Sequence, residues 1–323
     1  MKDKKITVVG CGRWGSLITW YLDRLGFPVT LYGRASSANM QRFISERRND
    51  LLELPESVSL SVSYSPLVDS DIIIISVASQ ALRSVMKDIK PLGLKNKTFV
   101  LCMKGIEIET GKRLSEVVTE LTDTSNKVAV WLGPGHVQNF YSGIPSCMVI
   151  DSDDEDVKTM LVDEFSSDLI RFYYGSDLIG NEIGAAAKNV IGIAAGMLDG
   201  RGLSTLKGAL MSRGSSEISR LIVAMGGSAL SAYGLCHLGD YEATVFSPYS
   251  HNRMFGEKFI RGEKYDELAE GYFTVLALVN LSKQYNVELP ICDALYRILY
   301  LSEEPSAVLD SLFRRTLKRE LRG

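Results

Sequence analysis

The sequence predicts an α/β fold, in which an N-terminal doubly wound sheet is followed by a C-terminal all-helical domain. Three observations carry this prediction. A glycine motif, GCGRWG at residues 10–15, stands between a β-branched run and a helical pattern. Short apolar runs then alternate with polar segments as far as Gly175, as expected for a parallel sheet. From Asn181 onward the pattern is helical almost throughout, so we place the domain boundary after residue 178, giving domains 1–178 and 179–323.

The first strand, Ile6–Val9, leads into the GCGRWG motif, and a helical pattern follows over Ser16–Leu25. A G-x-G-x-x-G sequence with a strand before it and a helix after it is typical of a dinucleotide site. The first glycine turns the chain, the second lets the backbone approach a pyrophosphate, and the third lets the helix pack on the strand. The helix N-terminus offers free N–H groups to the phosphates. The N-terminal sheet is therefore predicted to be Rossmann-like.

The second strand, Pro28–Tyr32, ends in Gly33-Arg34. A site for NAD usually has an Asp or Glu at this point to bind the ribose 2′-hydroxyl, and the first acidic side chain after this strand is Glu46. An arginine at this position suits the 2′-phosphate of NADP, and the alternative is a solvated arginine. We therefore expect NADP to be the preferred cofactor, with NAD as the other possibility.

The later strands are predicted at Asp71–Val77, Thr98–Met103, Val128–Leu132, Cys147–Ile150 and Leu169–Tyr173. The run DIIIISV at 71–77 is almost continuously apolar, as strands buried on both faces of a parallel sheet require. The strand at 98–103 leads into Lys104-Gly105, and the strand at 128–132 leads into the loop GPGH at 133–136. Open α/β sheets bind ligands at the carboxyl ends of their strands, so these loops are candidate ligand contacts.

Helices of the second domain are predicted at Asn181–Leu198, Leu206–Met225, Tyr265–Tyr285, Ile291–Leu301 and Ser306–Leu321. Two stretches interrupt the helical pattern, a loop over Leu238–Gly256 and a turn at Leu289-Pro290. The basic tail from Arg314 is expected to be a solvated helix face and not a binding arm.

Lys188 and Asn189 stand side by side within the apolar run NEIGAAAKNVIGIAAGMLDGRG, residues 181–202. Alanine and glycine give such a helix a thin surface, which lets other elements and a ligand approach its backbone. Burying an ammonium is costly unless a polar partner meets it, and burial also lowers the pKa of a lysine toward neutrality. Lys188 is therefore a candidate for proton exchange, and the alternative is a lysine whose amine reaches water from a core helix.

The composition excludes several classes of function. The net charge of −3 does not indicate the excess of positive charge with which proteins bind nucleic acid. No apolar run reaches the roughly 18–20 residues that a membrane span needs. The N-terminus enters a strand at once, so we expect no signal peptide. The five scattered cysteines include no C-x-x-C and indicate reduced thiols in the cytoplasm. His136, His237, His251 and Asp240 lack metal-ligand spacing, so we expect no metal site.

Several segments of the chain resemble the NAD(P)-dependent glycerol-3-phosphate dehydrogenase family, and the resemblance runs nearly end to end. The best-matching segments are GCGRWG (10–15), MKGIEIETG (103–111), AAAKNVIGIAAGMLDG (185–200), LGD (238–240), SHNRMFG (250–256) and EGY (270–272). The resemblance implies an oxidoreductase that interconverts dihydroxyacetone phosphate and sn-glycerol 3-phosphate with NAD(P)H, supplying glycerol 3-phosphate for phospholipid synthesis. A small phosphorylated substrate is the expected partner, and a homodimer is left open.

The resemblance also assigns roles by position. Lys188 corresponds to the catalytic lysine, and Asp240 is expected to act with it. The substrate-binding positions are Lys104, Gly133, Asn189, Thr244, Ser250, His251 and Asn252. The cofactor-binding positions are Gly10, Gly12, Arg13, Trp14, Gly15, Arg34, Lys104, Val137 and Glu270.

The chemistry independently requires these residue types. Hydride delivery to a ketone carbon leaves charge on the oxygen, which must be stabilised and protonated. A lysine can do both, and a nearby carboxylate can keep it protonated against the effect of burial. Asp240 has the alternative role of capping a helix or turn, and Lys104 has that of a surface turn.

Two departures from the family pattern concern the substrate. Many members carry Gly-Pro-Ser/Thr-Phe-Ala where this chain has GPGHV at 133–137, so the hydroxyl that would touch the substrate is missing at Gly135. The family's phosphate-binding arginine aligns with His251, and Arg253 is the alternative cation. An imidazolium with a pKa near 6.5 loses its charge across neutrality, so we expect substrate affinity to weaken between about pH 6 and 8.

Two other functions stay open at this point. One is a related NADP-dependent reductase of another small hydroxy or keto acid, which would account for the altered loops. The other is a non-catalytic protein that senses the dinucleotide, since this architecture hosts many functions. Retention of Lys188, Asn189 and Asp240 argues against the non-catalytic hypothesis, because binding NADP alone requires none of them.

Overall fold

The computed structural model describes residues 2–317. Eight strands form one sheet: β1 Ile6–Val9, β2 Val29–Tyr32, β3 Ser59–Ser61, β4 Ile72–Ile75, β5 Thr98–Leu101, β6 Lys127–Leu132, β7 Ser146–Ser152 and β8 Ile170–Tyr174. Within the described residues the α-helices are α1 Arg13–Arg24, α2 Ala38–Glu46, α3 Pro66–Asp69, α4 Leu82–Ile89, α5 Leu114–Leu121, α6 Val137–Tyr141, α7 Glu155–Phe165, α8 Leu178–Gly200, α9 Lys207–Ala224, α10 His251–Ile260, α11 Glu270–Gln284, α12 Pro290–Leu301 and α13 Pro305–Phe313. Short 3-10 turns lie at Ser79–Ala81, Lys90–Leu92, Ser204–Leu206, Ala229–Tyr233 and Leu238–Asp240, and a π-helical turn lies at Glu242–Phe246.

The strands lie in the order β3-β2-β1-β4-β5-β6-β7-β8, and neighbours are parallel except for β6 and β7. β1 pairs with β2 on one side, where Ile6 faces Val29, and with β4 on the other, where Ile6 faces Ile72. The chain therefore winds outward in both directions from β1. The predicted α/β fold, with a Rossmann-like doubly wound sheet and a helical C-terminal part, is confirmed. Such sheets bind ligands where the strand order reverses, outside the carboxyl ends of the strands.

β4 explains why the strands are uninterrupted apolar runs. Ile72 and Ile74 belong to one core cluster and Ile73 and Ile75 to another, and all four are buried. Because successive side chains of a strand point to opposite faces, the two clusters cover the two faces of the sheet. The ends of the predicted strands agree with the structure to within two residues. The sequence does not reveal β3, because it is three residues long, contains two serines and is partly exposed.

α8 is the central element of the helical part. Asp177 caps it by accepting a hydrogen bond from Gly180 N (3.0 Å), and the helix runs for 23 residues. It is buried along nearly its whole length, with α9, α10, α11 and α12 packed against it. A Cβ atom on Gly196 would collide with the backbone oxygen of Arg253 in α10, so the two helices touch through their backbones. The thin Ala/Gly surface predicted for this segment permits that contact.

Gly196→Ala is expected to lower the free energy of unfolding by about 1–3 kcal/mol, because the new methyl group must push α10 away from α8. Gly208→Ala in α9 is the matched control, since no atom lies within 4 Å of a Cβ built there. Alanine has a higher helix propensity than glycine, so the control should be neutral or slightly stabilised. Urea unfolding followed by circular dichroism measures both variants. Equal changes in the two would contradict close contact between α8 and α10.

The prediction of a loop over Leu238–Gly256 is wrong for much of its length. Turns occupy most of 238–246, and α10 begins at His251, where Ser250 caps it by accepting a hydrogen bond from Arg253 N (3.3 Å). The polar sequence SPYSHN conceals this helix start. Packing against α8, and not amphipathic periodicity, stabilises the helix.

Two predicted helices have different ends in the structure. The helix predicted over Tyr265–Tyr285 begins at Glu270, and the helix predicted over Ser306–Leu321 begins at Pro305 and ends at Phe313. Residues 314–317 are exposed and not helical, so the prediction of a basic helix face is wrong for them, and residues 318–323 lie outside the described residues. A short helical segment without packing is marginal in water, which explains both shortened helices.

The sheet gives way to helices between Tyr174, where β8 ends, and Leu178, where α8 begins. The division of the chain into two domains after residue 178 stays a prediction. None of the helices in residues 2–317 is long and apolar enough to cross a membrane.

Candidate active site

A buried carboxylate shared by two lysines lies beside the carboxyl ends of β5 and β6. Asp240 Oδ2 is 2.7 Å from Lys188 Nζ and 2.7 Å from Lys104 Nζ. Lys188 comes from α8, Lys104 from the segment after β5, and Asp240 from a 3-10 turn. Lys188 Nζ also donates to Thr244 Oγ1 (2.9 Å), and Lys104 Nζ donates to the carbonyl oxygen of Gly133 (2.6 Å). Five predicted site residues from four segments of the chain therefore meet in one cluster.

The backbone conformation of two segments orients these side chains. Gly133, with φ of +126°, turns the chain as β6 ends and presents its carbonyl oxygen to Lys104. The turn at Leu238–Asp240 is followed by the π-helical turn, in which Thr244 Oγ1 donates to the backbone oxygen of Asp240 (2.7 Å). Single π-helical turns are frequent at functional sites. This turn brings a carboxylate and a hydroxyl from the same segment to one lysine.

Asp240 does not serve as a turn cap. Its side chain is fully buried, and its second oxygen, Oδ1, has no hydrogen-bond partner within residues 2–317. A buried acceptor without a donor is costly, and the hydroxyl group of a ligand beside the lysines would remove that cost. The alternative that Asp240 only stabilises a turn is therefore not supported.

Burial lowers the pKa of Lys188 to about 7. The negative charge of Asp240 opposes this effect, and the positive charge of Lys104 adds to it. The alternative in which the amine reaches bulk water is not supported, because Lys188 is only 7% exposed. An amine with a pKa near neutrality can both donate and accept a proton, as a general acid–base catalyst must.

A chain of amide hydrogen bonds extends from this cluster into the helical part. Asn189 Nδ2 donates to the backbone oxygen of Lys104 (3.0 Å), and Asn252 Nδ2 donates to Asn189 Oδ1 (3.0 Å). Asn252 Oδ1 in turn accepts from Gly271 N (2.8 Å). These bonds join the end of β5 to α8, α10 and α11, so the N-terminus of α10 lies beside the lysine cluster.

The glycine motif fits a dinucleotide phosphate. Gly10 has φ of +115°, and a Cβ atom there would collide with Ser76 O. A Cβ atom on Gly15 would collide with Gly10 O, whereas one on Gly12 would meet no atom within 4 Å. The backbone at Gly12 is therefore open to a ligand. No side chain of the described residues caps α1, so its first N–H groups are available to a pyrophosphate.

Comparison with known proteins identifies the family. The sequence models described as NAD-dependent glycerol-3-phosphate dehydrogenase N-terminus and C-terminus match residues 5–158 and 177–310. The chain belongs to this family. A glycerol-3-phosphate dehydrogenase (NAD(P)+) of Thermoanaerobacter sp. (strain X514) is 35% identical over 331 residues, covering 99% of each chain. That of Chlorobium limicola is 34% identical over 330 residues, covering 98% of this chain and 99% of its own. A crystal structure of glycerol-3-phosphate dehydrogenase from Coxiella burnetii matches with a TM-score of 0.90 and 26% identity, covering 97% of this chain and 99% of that one.

His251 replaces the arginine expected in this family, and it contacts Arg13. Arg13 Nη1 donates to His251 Nε2 (2.9 Å), and His251 Nδ1 lies 2.6 Å from the hydroxyl of Tyr265. Burial lowers the pKa of His251, the charge of Arg13 lowers it further, and Glu267 opposes the two. These effects disfavour the protonated ring, and the binding of phosphate by His251 stays a prediction.

Arg253, the alternative phosphate cation, is held by carboxylates. Its Nε is 2.7 Å from Asp199 Oδ2, and its Nη2 is 3.2 Å from Glu257 Oε2. Lys207 Nζ also contacts Asp199 Oδ2 (2.6 Å). The charge of Arg253 is thus compensated within α8 and α10, and the structure does not support the alternative. Ser250 acts here as the cap of α10.

The other predicted cofactor positions lie around the dinucleotide loop or at the ends of nearby elements. Lys104 Nζ lies 5.8 Å from the ring centroid of Trp14, between the loop and the lysine cluster. Arg34 is exposed after β2, and Val137 is buried at the start of α6. Glu270, the first residue of α11, accepts hydrogen bonds from the backbone and the hydroxyl of Ser79. Contact of these residues with the cofactor stays a prediction.

Gly135, where the resemblance to the family led us to expect a hydroxyl residue, has no room for a side chain. Gly135 has φ of +152°, and a Cβ atom there would collide with the ring of Phe140. The next residue, His136, has a buried Nε2 without a partner among residues 2–317, and burial, reinforced by Lys188, lowers its pKa to about 4. The sequence marked His136 as a candidate ligand contact only as part of the loop at 133–136, and it did not mark Gln138 or Tyr265, because no motif joins them to the distant groups that they meet.

His237, one of the three histidines considered for zinc, makes hydrogen bonds within the protein through both ring nitrogens. His237 Nδ1 donates to Gly184 O (2.8 Å), and its Nε2 accepts from the hydroxyl of Tyr241 (2.7 Å). No group of three His, Cys, Asp or Glu side chains in the described part of the chain could hold a metal ion.

Proposed function

We infer that the protein is an NAD(P)-dependent glycerol-3-phosphate dehydrogenase, which interconverts dihydroxyacetone phosphate and sn-glycerol 3-phosphate and supplies the latter for phospholipid synthesis. The observation that carries this inference is the contact of Lys188 and Lys104 with one oxygen of Asp240, beside the dinucleotide loop. Binding a cofactor alone requires neither Lys188 nor Asp240. Their convergence in a buried site supports an enzyme over a dinucleotide sensor.

When bound, the nicotinamide supplies the hydride for ketone reduction or accepts it from the alcohol. In the reducing direction, the Lys188 ammonium stabilises the charge that develops on the carbonyl oxygen and transfers a proton to it. In the oxidising direction, the neutral amine accepts the hydroxyl proton. Asp240 keeps the ammonium form populated because its charge raises the pKa of Lys188 against the effect of burial. Lys104 and Asn189 fix the geometry of the cluster, because Lys104 Nζ donates to the carbonyl oxygen of Gly133 and Asn189 Nδ2 donates to the backbone oxygen of Lys104.

A spectrophotometric assay tests this function. Purified protein is mixed with NADPH or NADH and with dihydroxyacetone phosphate, and the loss of reduced cofactor is followed beside a panel of 2-keto and 3-keto acids. Turnover with dihydroxyacetone phosphate well above the panel is expected. Preference for a keto acid would favour the related-reductase hypothesis, and cofactor binding without any turnover would favour a sensor.

We propose that NADP is the preferred cofactor and that Arg34 selects it through the 2′-phosphate. The exposed position of Arg34 after β2 supports this proposal. Arg34→Ala should raise the KM for NADPH by about 10- to 100-fold, the typical effect of a lost charged hydrogen bond, and leave that for NADH nearly unchanged. Arg42→Ala is the matched control, because Arg42 is a nearby surface arginine that pairs with Asp50. Equal rises for both cofactors would reject the assignment of Arg34.

We also propose a cytoplasmic location and leave a homodimer as a prediction. The five cysteines are unpaired thiols in the structure, which supports a reducing compartment. Fractionation of cells tests the location, and size-exclusion chromatography with light scattering tests the oligomeric state.

A further inference from the structure

Within residues 2–317, one arginine of the site, Arg13, has no acidic partner. Arg13 is the first residue of α1 and is half-buried. Its guanidinium donates to His251 Nε2 (2.9 Å) and to Gln138 Oε1 (3.4 Å), and neither acceptor carries a negative charge. By contrast, Arg253 is bound by Asp199 and Glu257, and the lysines of the catalytic cluster share Asp240. Partial burial weakens the hydration of this cation without supplying a counter-charge, so the position favours a bound anion.

The hydrogen bonds of His251 show that it cannot itself supply the positive charge. Arginine donates hydrogen bonds and accepts none, so His251 Nε2 must be the acceptor. The single proton of the neutral ring then lies on Nδ1 and is donated to the hydroxyl oxygen of Tyr265. A second proton on Nε2 would replace the hydrogen bond to Arg13 with repulsion between two cations. His251 and Tyr265 therefore hold Arg13 in position.

Arg13 also lies on the side of the cluster where a substrate would extend. Asn252 follows His251 at the N-terminus of α10, and its amide contacts Asn189, the neighbour of Lys188 in sequence. The charges of Lys188, Lys104 and Arg13 all act on His136, which places the three cations around one region. A molecule with its carbonyl group at Lys188 and an anionic group toward α10 would meet both the helix N-terminus and the guanidinium.

We propose that Arg13 binds the phosphate of the substrate and takes the place of the arginine that the family carries at position 251. This inference rests on the proposed function, because it requires a phosphorylated substrate. Guanidinium groups bind phosphate oxygens through two parallel hydrogen bonds, which neutral imidazole cannot do. The phosphate would thus be held between α1, which follows β1 in the N-terminal part of the chain, and α10 in the helical part. Arg13 then determines specificity for phosphorylated substrates, in addition to its position in the dinucleotide motif.

Arg13→Ala tests this proposal by comparing two ketones, dihydroxyacetone phosphate and unphosphorylated dihydroxyacetone. The ratio of kcat/KM for the phosphorylated ketone to that for the unphosphorylated one should fall by about 10- to 100-fold, the effect of losing a charged hydrogen bond. The KM for NADPH is measured beside this ratio because Arg13 is also a predicted cofactor position, and Arg13→Lys should recover part of the ratio. Melting temperatures of all variants show whether they are folded.

A double variant separates a phosphate contact from a structural effect. Arg13→Ala combined with His251→Arg moves the cation to the other side of the same contact, and it should restore preference for the phosphorylated ketone. An unchanged ratio in Arg13→Ala, or a rise in the KM for NADPH without a change in the ratio, would overturn the proposal. If the wild type does not reduce dihydroxyacetone phosphate at all, the proposed function itself fails, and that result is visible before any variant is measured.

Discussion

Lys188→Ala should lower kcat for the reduction of dihydroxyacetone phosphate by about two to four orders of magnitude, the usual contribution of general acid–base catalysis. The variant loses both the ammonium that stabilises the developing oxyanion and the proton that the product alcohol needs. The affinity for NADPH should change little, because the dinucleotide loop lies in the sheet part of the chain. Steady-state kinetics and fluorescence titration with NADPH measure the two quantities.

Lys158→Ala is the matched control for this variant. Lys158 is also buried, and it pairs with Glu155 (2.6 Å) and Asp151 (3.7 Å) in α7 and β7, away from the catalytic cluster. Its removal should cost stability, since it leaves a buried carboxylate with one partner fewer, and kcat should stay near that of the wild type. A Lys188→Ala enzyme with nearly full kcat, or an equal loss in both variants, would reject Lys188 as the proton donor.

The sequence carries most of the information about the sheet and about the lysine cluster. The strand within residues 71–77 can be predicted from the sequence because β4 is covered on both faces, so that its four residues must all be apolar. Lys188 is conspicuous because a charged group in an Ala/Gly-rich helix is chemically unusual. Both signals are local, and each depends on the residue and its immediate neighbours in the sequence.

The contacts of the phosphate region depend on tertiary structure and have no such signal. The bond from Arg13 to His251 spans 238 positions, and the two residues meet only in the folded chain. The resemblance to the family indicates that position 251 is altered, but it does not show that His251 is an acceptor. The start of α10 is concealed for a related reason, since its N-terminal residues are polar and its stability comes from backbone contact with α8.

Asp240→Asn should lower kcat/KM for ketone reduction at neutral pH by about 100-fold or more and shift its pH dependence. In the wild type, reduction requires the ammonium form of Lys188, so kcat/KM should fall as pH rises through about 7. Asp240 raises the pKa of Lys188, whereas burial and Lys104 lower it. Removing the carboxylate charge therefore lowers this pKa further, and the decline in reduction should move to lower pH. Oxidation of glycerol 3-phosphate requires the neutral amine, so its rise with pH should move in the same direction. Profiles of kcat/KM in both directions over about pH 5 to 9 measure the shift.

Thr244→Val is the control that separates charge from hydrogen bonding. It removes the oxygen that accepts from Lys188 Nζ at 2.9 Å and leaves Asp240 in place, so activity should fall by a smaller factor and the pH profile should keep its midpoint.

Asp240→Asn also leaves two buried lysines without their shared anion, which should reduce the free energy of unfolding by about 3–5 kcal/mol. The double variant Asp240→Asn, Lys104→Met removes one of these cations, and it should recover part of that stability and move the midpoint back toward that of the wild type. A midpoint that is the same in Asp240→Asn and in the wild type would show that Asp240 does not control the charge of Lys188. In that case its two contacts would serve only to hold α8 against the end of β5.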